Sequence, residues 1–277
     1  MFKRILVPLD GSTASFNAFD WALEIALGEQ SQALLTALCV IDVRVSHEAQ
    51  VYLPRQDEIA VSYEIVTPAE AASTYQAWAQ KIIEYARKRS AAVHLEIQPE
   101  IVSGIPYEEI ISRSSEHELL VLGGWQMSSD YPGPFLGGNT FWHVAIHTKL
   151  PTFFVSTPLR KIETILVVYD DTLEAQHALQ LASTWAKVWK LKLIALVMGQ
   201  PDEERTQTWL QQADSAALQL ITRAGEGFEV IQEVAAQYHC DLISLGVQSH
   251  HLWPGHSLGA VTDKLLRSGN IPLLLSH

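Results

Sequence analysis

Two stretches of this chain follow the same plan. LLVLGGWQMSSDYPGPFLGGNTFWHVAIHTKLPTFFVS (Leu119 to Ser156) and LGVQSHHLWPGHSLGAVTDKLLRSGNIPLLLS (Leu245 to Ser276) fall into step when Leu122-Gly123 is set against Leu245-Gly246, Gly138 against Gly259 and Pro151 against Pro272. The first copy carries two more loop residues. Each copy reads as a buried strand, a polar loop, a glycine opening a helix, and a proline leading into a last apolar strand. Upstream, KRILVPLDGS (Lys3 to Ser12) answers ETILVVYDDT (Glu163 to Thr172), both apolar runs closed by an aspartate. Self-similarity on this scale fixes the architecture more firmly than any single motif, and it predicts a tandem duplication. The predicted domains are 1–157 and 162–277, joined by the short segment Ser156 to Glu163, which contains Pro158 and the basic pair Arg160-Lys161.

Within each copy, strands alternating with helices imply an α/β fold, a doubly wound parallel sheet with helices on both faces. The first copy reads as strand Ile5 to Leu9, helix Ala14 to Leu27, strand Leu34 to Ile41, helix Ala69 to Arg89, an outer strand Val93 to Val102, helix Tyr107 to Ser115, strand Leu119 to Leu122, helix Asn139 to Thr148 and strand Thr152 to Val155. Asp42 to Pro68 lacks a period and is long for a connection, as lids are. The second copy reads as strand Ile165 to Val168, helix Leu173 to Trp189, strand Leu191 to Val197, helix Glu203 to Asp214, strand Leu218 to Arg223, helix Phe228 to His239 and strand Asp241 to Leu245, before the opening stretch.

A small residue at a helix start lets a ligand approach unpaired backbone N–H groups at the positive end of the helix dipole, and phosphate is the natural guest. A glycine there is also common for structural reasons alone. Likewise each closing aspartate, Asp10 or Asp170, serves equally as a turn or N-cap residue or as a ligand to a bound group.

These residues resemble the universal stress protein family, whose members open on a strand ending in V-D-x-S-like residues. They close on Gly-x2-Gly-x9-Gly-[Ser/Thr], a helix and a Pro-Val-led strand. The resemblance runs over nearly the whole chain, with departures in the glycine motif. The second copy reads Gly246-x2-Ser249-x9-Gly259-Ala260; the first reads Gly123-x2-Gln126-x11-Gly138-Asn139. The family's fold implies two five-stranded domains of strand order 3-2-1-4-5, adenine nucleotide alpha hydrolase-like, with one crevice per half between the first and fourth strands. Carried over position by position, the resemblance implies ligand contacts at Asp10, Val40, Gly123, Gln126, Gly138 and Asn139 in the first half. In the second it implies Asp170, Met198, Gly246, Ser249, Gly259 and Ala260. ATP or AMP are the implied ligands, with magnesium accompanying ATP. Family members of one domain pair through their fifth strands, so Thr152 to Val155 and Leu273 to Ser276 are expected to meet antiparallel inside one chain, with a homodimer as further assembly.

The departures alter the expected chemistry. Ala260 still offers a backbone N–H but loses one side-chain hydrogen bond, roughly 0.5–1.5 kcal/mol. Asn139 can donate through its amide, whereas Gln126 and Ser249 replace a residue that only glycine matches if positive φ or close contact is needed. With its preserved spacing, the second half is the expected ligand site. The first crevice is expected to be covered by Trp125, Tyr52, Tyr63 and Phe135, which suits either a filled pocket or an apolar ligand.

Composition narrows the partners. A net charge of −12 without basic clusters argues against a nucleic-acid partner. No apolar run reaches the ~18 residues of a membrane span, and MFKRILVPLDG enters a strand without a signal-peptide region, so a cytoplasmic protein is expected. Cys39 and Cys240 lie in apolar surroundings in different copies and read as small buried hydrophobes. His250, His251 and His256 in the second loop, and His143 and His147 on one helix face, read as solvated groups rather than as a metal site, which needs three or four converging ligands. No catalytic triad signature is present. The function expected is non-catalytic binding or sensing of a small ligand, adenine nucleotide leading. The alternative is slow ATP hydrolysis at Asp170 and the Gly259 helix start, which lack the lysine or arginine that phosphoryl transfer relies on.

Overall fold

A strand buried on both faces needs apolar residues at consecutive positions rather than alternating ones, and both repeats open on such a run. In the computed structural model, Arg4–Pro8 forms β1, and Ile5, Leu6 and Val7 are wholly buried. The structure describes residues 2–28, 33–44, 51–54, 63–124, 140–198, 204, 208, 218–224, 227–247 and 259–277. The chain forms two compact units, Met1–His147 and Thr148–His277.

In the first unit, α1 (Thr13–Gly28) follows β1, then β2 (Leu34–Asp42), a pair of short strands β3 (Val51–Pro54) and β4 (Tyr63–Val66), α2 (Pro68–Ala92), β5 (Ile97–Gly104), α3 (Pro106–Ser114), β6 (Leu119–Gly123) and α4 (Thr140–His147). The central β1 runs parallel to β2 and to β6, and β2 runs parallel to β5, giving the order 3-2-1-4. Outermost among the described strands, β5 is half-buried along its length and tolerates Pro99, which has no N–H to donate to a ladder.

The second unit contains β7 (Thr152–Val155), β8 (Thr164–Tyr169), α5 (Leu173–Trp189), β9 (Lys192–Met198), β10 (Leu218–Arg223), α6 (Gly227–Gln237), β11 (Leu242–Gly246), α7 (Ala260–Ser268) and β12 (Leu273–Ser276). Its parallel order is β10-β9-β8-β11-β12, which is 3-2-1-4-5. The last strand of the first repeat, β7, adds antiparallel to β12 with Phe154 opposite Leu273 and Phe153 opposite Leu274. The expected meeting of the two fifth strands is therefore observed. All four β7 residues are buried, and Phe153 packs 5.5 Å from the Trp185 ring of α5, which stacks in turn on Trp189 at 5.6 Å.

Two segments differ from the sequence reading. Asp42 to Pro68 carries an antiparallel ladder, β3 with β4, in which Tyr52 faces Ile65 in register. The predicted strand over Val93 to Val102 begins instead at Ile97, because α2 continues to Ala92 and closes in a Schellman turn: His94 takes a left-handed φ of 57° and Leu95 N–H reaches back to Ser90. Of the predicted helix over Glu203 to Asp214, only Glu204 and Thr208 fall within the described residues, both helical. No described helix is long and apolar enough to cross a membrane.

Candidate functional site

The turns after β1 and β8 are built alike. Asp10 Oδ1 accepts from the Ser12 N–H at 2.9 Å, and Asp170 Oδ1 accepts from the Thr172 N–H at 3.3 Å and its hydroxyl at 2.6 Å. Between them sits a residue in the left-handed region, Gly11 at φ 82° and Asp171 at φ 63°. Ser12 and Thr172 then cap the next helix, each hydroxyl accepting from the N–H three residues on, at 3.1 Å from Ser15 and 3.2 Å from Ala175. Both aspartates thus organise a turn, and Asp170 additionally faces a cavity.

That cavity lies in the second unit, has a volume of about 220 Å³, and brings together Asp170, Met198, Gly246 and Gly259. These four come from the carboxyl ends of β8, β9 and β11 and the start of α7, where an open parallel sheet places its ligand site. Further walls come from Val168, Leu245, Ile231, Val261 and Thr262, with Gly227 at the start of α6 and Ala175 on α5. The sequence reading missed Gly227. A Cβ there would lie 2.7 Å from Val261 and 3.7 Å from the Met198 methyl, so this glycine lets α6, α7 and the end of β9 close on one another. The glycine pair Gly225 and Gly227, which separates the strand ending at Arg223 from the apolar helix pattern that follows, was the available signal.

Three of the four glycines of the predicted set fall within the described residues, and they do different things. Gly246 and Gly123 allow close backbone approach. A Cβ on Gly246 would lie 2.3 Å from the Glu174 carbonyl carbon, and one on Gly123 would lie 2.8 Å from Ala14 and Ser15 backbone atoms. Each therefore seats the first turn of a helix against the fourth strand. At Gly259 a Cβ would meet nothing within 4 Å. Gly259 is the N-cap of α7, has an ordinary φ of −53°, and supplies no side-chain cap, so the first N–H groups of the helix are left to other partners. Ala260, the next residue, is exposed and is not part of the cavity wall.

In the first unit, Val40 is buried in β2, level with Val102, and Asp10 and Gly123 occupy the places of Asp170 and Gly246. Gln126, Gly138, Asn139, Trp125 and Phe135 lie outside the described residues, as do Ser249, His250, His251 and His256 of the second loop. The helix positions that follow are described, and their chemistry differs from the second unit. Counting from the aligned glycines Gly138 and Gly259, Thr262 corresponds to Phe141, which is buried, and Gly227 and Pro106 correspond as the first residues of α6 and α3. The neighbouring pairs correspond too. Tyr107 stacks on His143 at 4.4 Å where the second unit sets Lys264 over Phe228 at 5.4 Å, and His143 stacks in turn on His147 at 6.0 Å.

Ionisation in and around the cavity is simple. Asp170 is the one ionisable side chain among its described walls. Lys264, just beyond, lies 3.4 Å from Glu229, and Arg267 is held 2.8 Å from Asp263. Both cysteines are inert: burial pushes the Cys39 and Cys240 thiols up to about 12, with Asp10 and Asp241 respectively adding to the effect. Among the described residues no three His, Cys, Asp or Glu side chains converge as metal ligands would.

The model of the universal stress protein family matches residues 1–156 and 197–277 of this chain. Among solved structures, a universal stress protein from Archaeoglobus fulgidus DSM 4304 superposes with a TM-score of 0.74 at 15% identity, covering 99% of this chain and 98% of its own. A functionally unknown protein from Pseudomonas aeruginosa PAO1 superposes with a TM-score of 0.59 at 13% identity, covering 99% and 92%. At these identities the likeness is one of fold, and it spans both repeats. No curated protein matches the chain significantly.

Proposed function

The chain belongs to the universal stress protein family, and on that footing we propose that it is a non-catalytic binder or sensor of a small adenine-bearing ligand, held in its second repeat. The observation that carries this reading is the convergence of Asp170, Met198, Gly246 and Gly259, drawn from four separate stretches, on one cavity at the carboxyl end of the sheet. Apolar walls from Met198, Ile231 and Val261 suit the faces of a heterocycle, while Thr262, Asp170 and the uncapped start of α7 offer polar contacts to its substituents. Magnesium would enter only with ATP, and Asp170 is the carboxylate available to hold it.

Hydrolysis of ATP asks for more than the cavity offers. Phosphoryl transfer depends on positioned positive charge, and no lysine or arginine occurs from Leu242 through Asp263. Calorimetric titration with AMP, ADP and ATP, with and without magnesium, alongside a phosphate-release assay, tests the proposal. Saturable heat without turnover is the expected outcome. Steady phosphate release abolished by Asp170→Asn would replace it with the hydrolase, and a lack of binding by every adenine compound would remove both.

A further inference from the structure

Independently of the adenine reading, we propose that the first repeat binds a divalent transition-metal ion of the zinc and nickel class, held by the imidazoles of His143 and His147 beside Glu108. Histidines four apart on a helix stand one turn from each other on the same face, the spacing by which paired histidines chelate one ion. Here the two rings lie 6.0 Å apart and within 13° of parallel. His147 is exposed and His143 half-buried, so an ion there is reached from solvent and completes its shell with water. A closed structural site takes four protein ligands; an open, exchangeable one is served by a pair.

The second repeat shows that this place is built for positive charge. Counting from Gly138 and Gly259, Lys264 corresponds to His143; counting from the first residues of α3 and α6, Phe228 and Glu229 correspond to Tyr107 and Glu108. In the second repeat the Lys264 ammonium lies 5.4 Å from the centre of the Phe228 ring and 3.4 Å from the Glu229 carboxylate. The first repeat keeps the ring and the carboxylate but puts an imidazole, stacked on Tyr107 at 4.4 Å, in the lysine's position. An ion on that imidazole restores the charge. One turn further Ser268 gives way to His147, so the second ligand arrives together with the first.

The surroundings favour a cation as well. His147 is the last residue of α4, so the ion sits at the negative end of the helix dipole, worth about half a charge. Tyr107 stacks on His143 and donates its hydroxyl to Glu108 at 3.1 Å, which restrains the His143 ring before any metal arrives and lowers the cost of ordering it. Arg44 shares this neighbourhood, but its Nε donates to both oxygens of Asp42, at 2.8 and 3.0 Å. Imidazole nitrogen selects zinc, nickel or copper over magnesium and calcium, which take oxygen ligands.

The test is a calorimetric titration of the full, tag-free chain with zinc chloride and nickel chloride, magnesium chloride serving as the control. It is repeated on His143→Gln, on His147→Gln, and on a variant carrying His250→Gln, His251→Gln and His256→Gln together. Zinc and nickel are expected to bind and magnesium is not. Each helix variant should weaken both ions by more than the ~10-fold that loss of an outer-shell partner brings, and the loop variant should keep the site. Because His147 is exposed, His147→Gln changes the ligand set and leaves the packing alone, which an unchanged melting temperature without metal verifies. Absence of zinc and nickel binding, an affinity unmoved by His147→Gln, or loss of the site in the loop variant would overturn the inference.

Discussion

At the scale of single residues, the glycines show what a sequence pattern conceals. Gly123, Gly246 and Gly259 read alike, as members of one phosphate-binding motif, because spacing records where a glycine stands and not what its missing Cβ makes room for. Gly246 and Gly123 make room for the protein's own helices, whereas a Cβ at Gly259 would meet no described atom within 4 Å. Gly246→Ala is therefore expected to cost about 2–3 kcal/mol by overpacking against Glu174, and Gly259→Ala less than about 1 kcal/mol as an exchanged N-cap. Thermal denaturation of the two variants checks that ranking. His277 supplies a pH signature of its own. Its Nε2 is buried with no hydrogen-bond partner among the described residues, and desolvation lowers its pKa from 6.5 to about 4. Between those values the unfolded chain takes up a proton that the folded chain refuses, so this stabilisation is complete above pH 6.5 and is lost as pH falls towards 4. The limb amounts to roughly 3 kcal/mol. Denaturation midpoints at pH 7.5 and pH 5 should converge in His277→Leu relative to the parent. An unchanged difference would show that other groups govern acid sensitivity.

At the scale of elements, the long periodic segments were legible and the unusual terminations were not. Leu173–Trp189 coincides with its predicted span, and Thr67-Pro68 with Glu70 forms a full capping box at the start of α2. The ends of α2 and α6 escaped because they close on left-handed His94 and His239, with Leu95 and Cys240 N–H groups reaching back five residues. A reader looks for glycine at such positions, and here there is none to find. The β3–β4 ladder was missed for another reason: four-residue strands are too short to display a period, although Val51-Tyr52-Leu53 and Tyr63-Glu64-Ile65-Val66 are rich in strand formers. The β7–β12 pairing carries a consequence for truncation. A fragment of residues 1–156 keeps β7 and loses its antiparallel partner β12, leaving an edge of Thr152, Phe153, Phe154 and Val155 open. Such a fragment should dimerise or precipitate on size-exclusion chromatography. A soluble monomer would contradict the importance of that ladder.

At the scale of the whole molecule, the duplication and the altered loop spacing of its first half were visible in the sequence, while the exchange of residues at the helix starts became clear only with packing. We propose the repeats as domains 1–157 and 162–277, the second carrying the ligand site. Where the second unit has Gly227 and Thr262 beside open volume, the first has Pro106 and a buried Phe141. Trp125 and Phe135, named from the sequence as covers for the first crevice, lie outside the described residues, and so do most of the substituted motif positions. Phe141 was overlooked because it reads as an ordinary apolar helix position. The measurement that tests this account most directly is the stoichiometry of AMP binding by calorimetry, on the full chain and on Gly259→Val side by side. A Cβ at this position meets no described atom within 4 Å, so the fold is expected to tolerate the substitution. One site per chain, abolished in Gly259→Val at unchanged melting temperature, is the predicted result; two sites per chain, or one that survives the substitution, would contradict it.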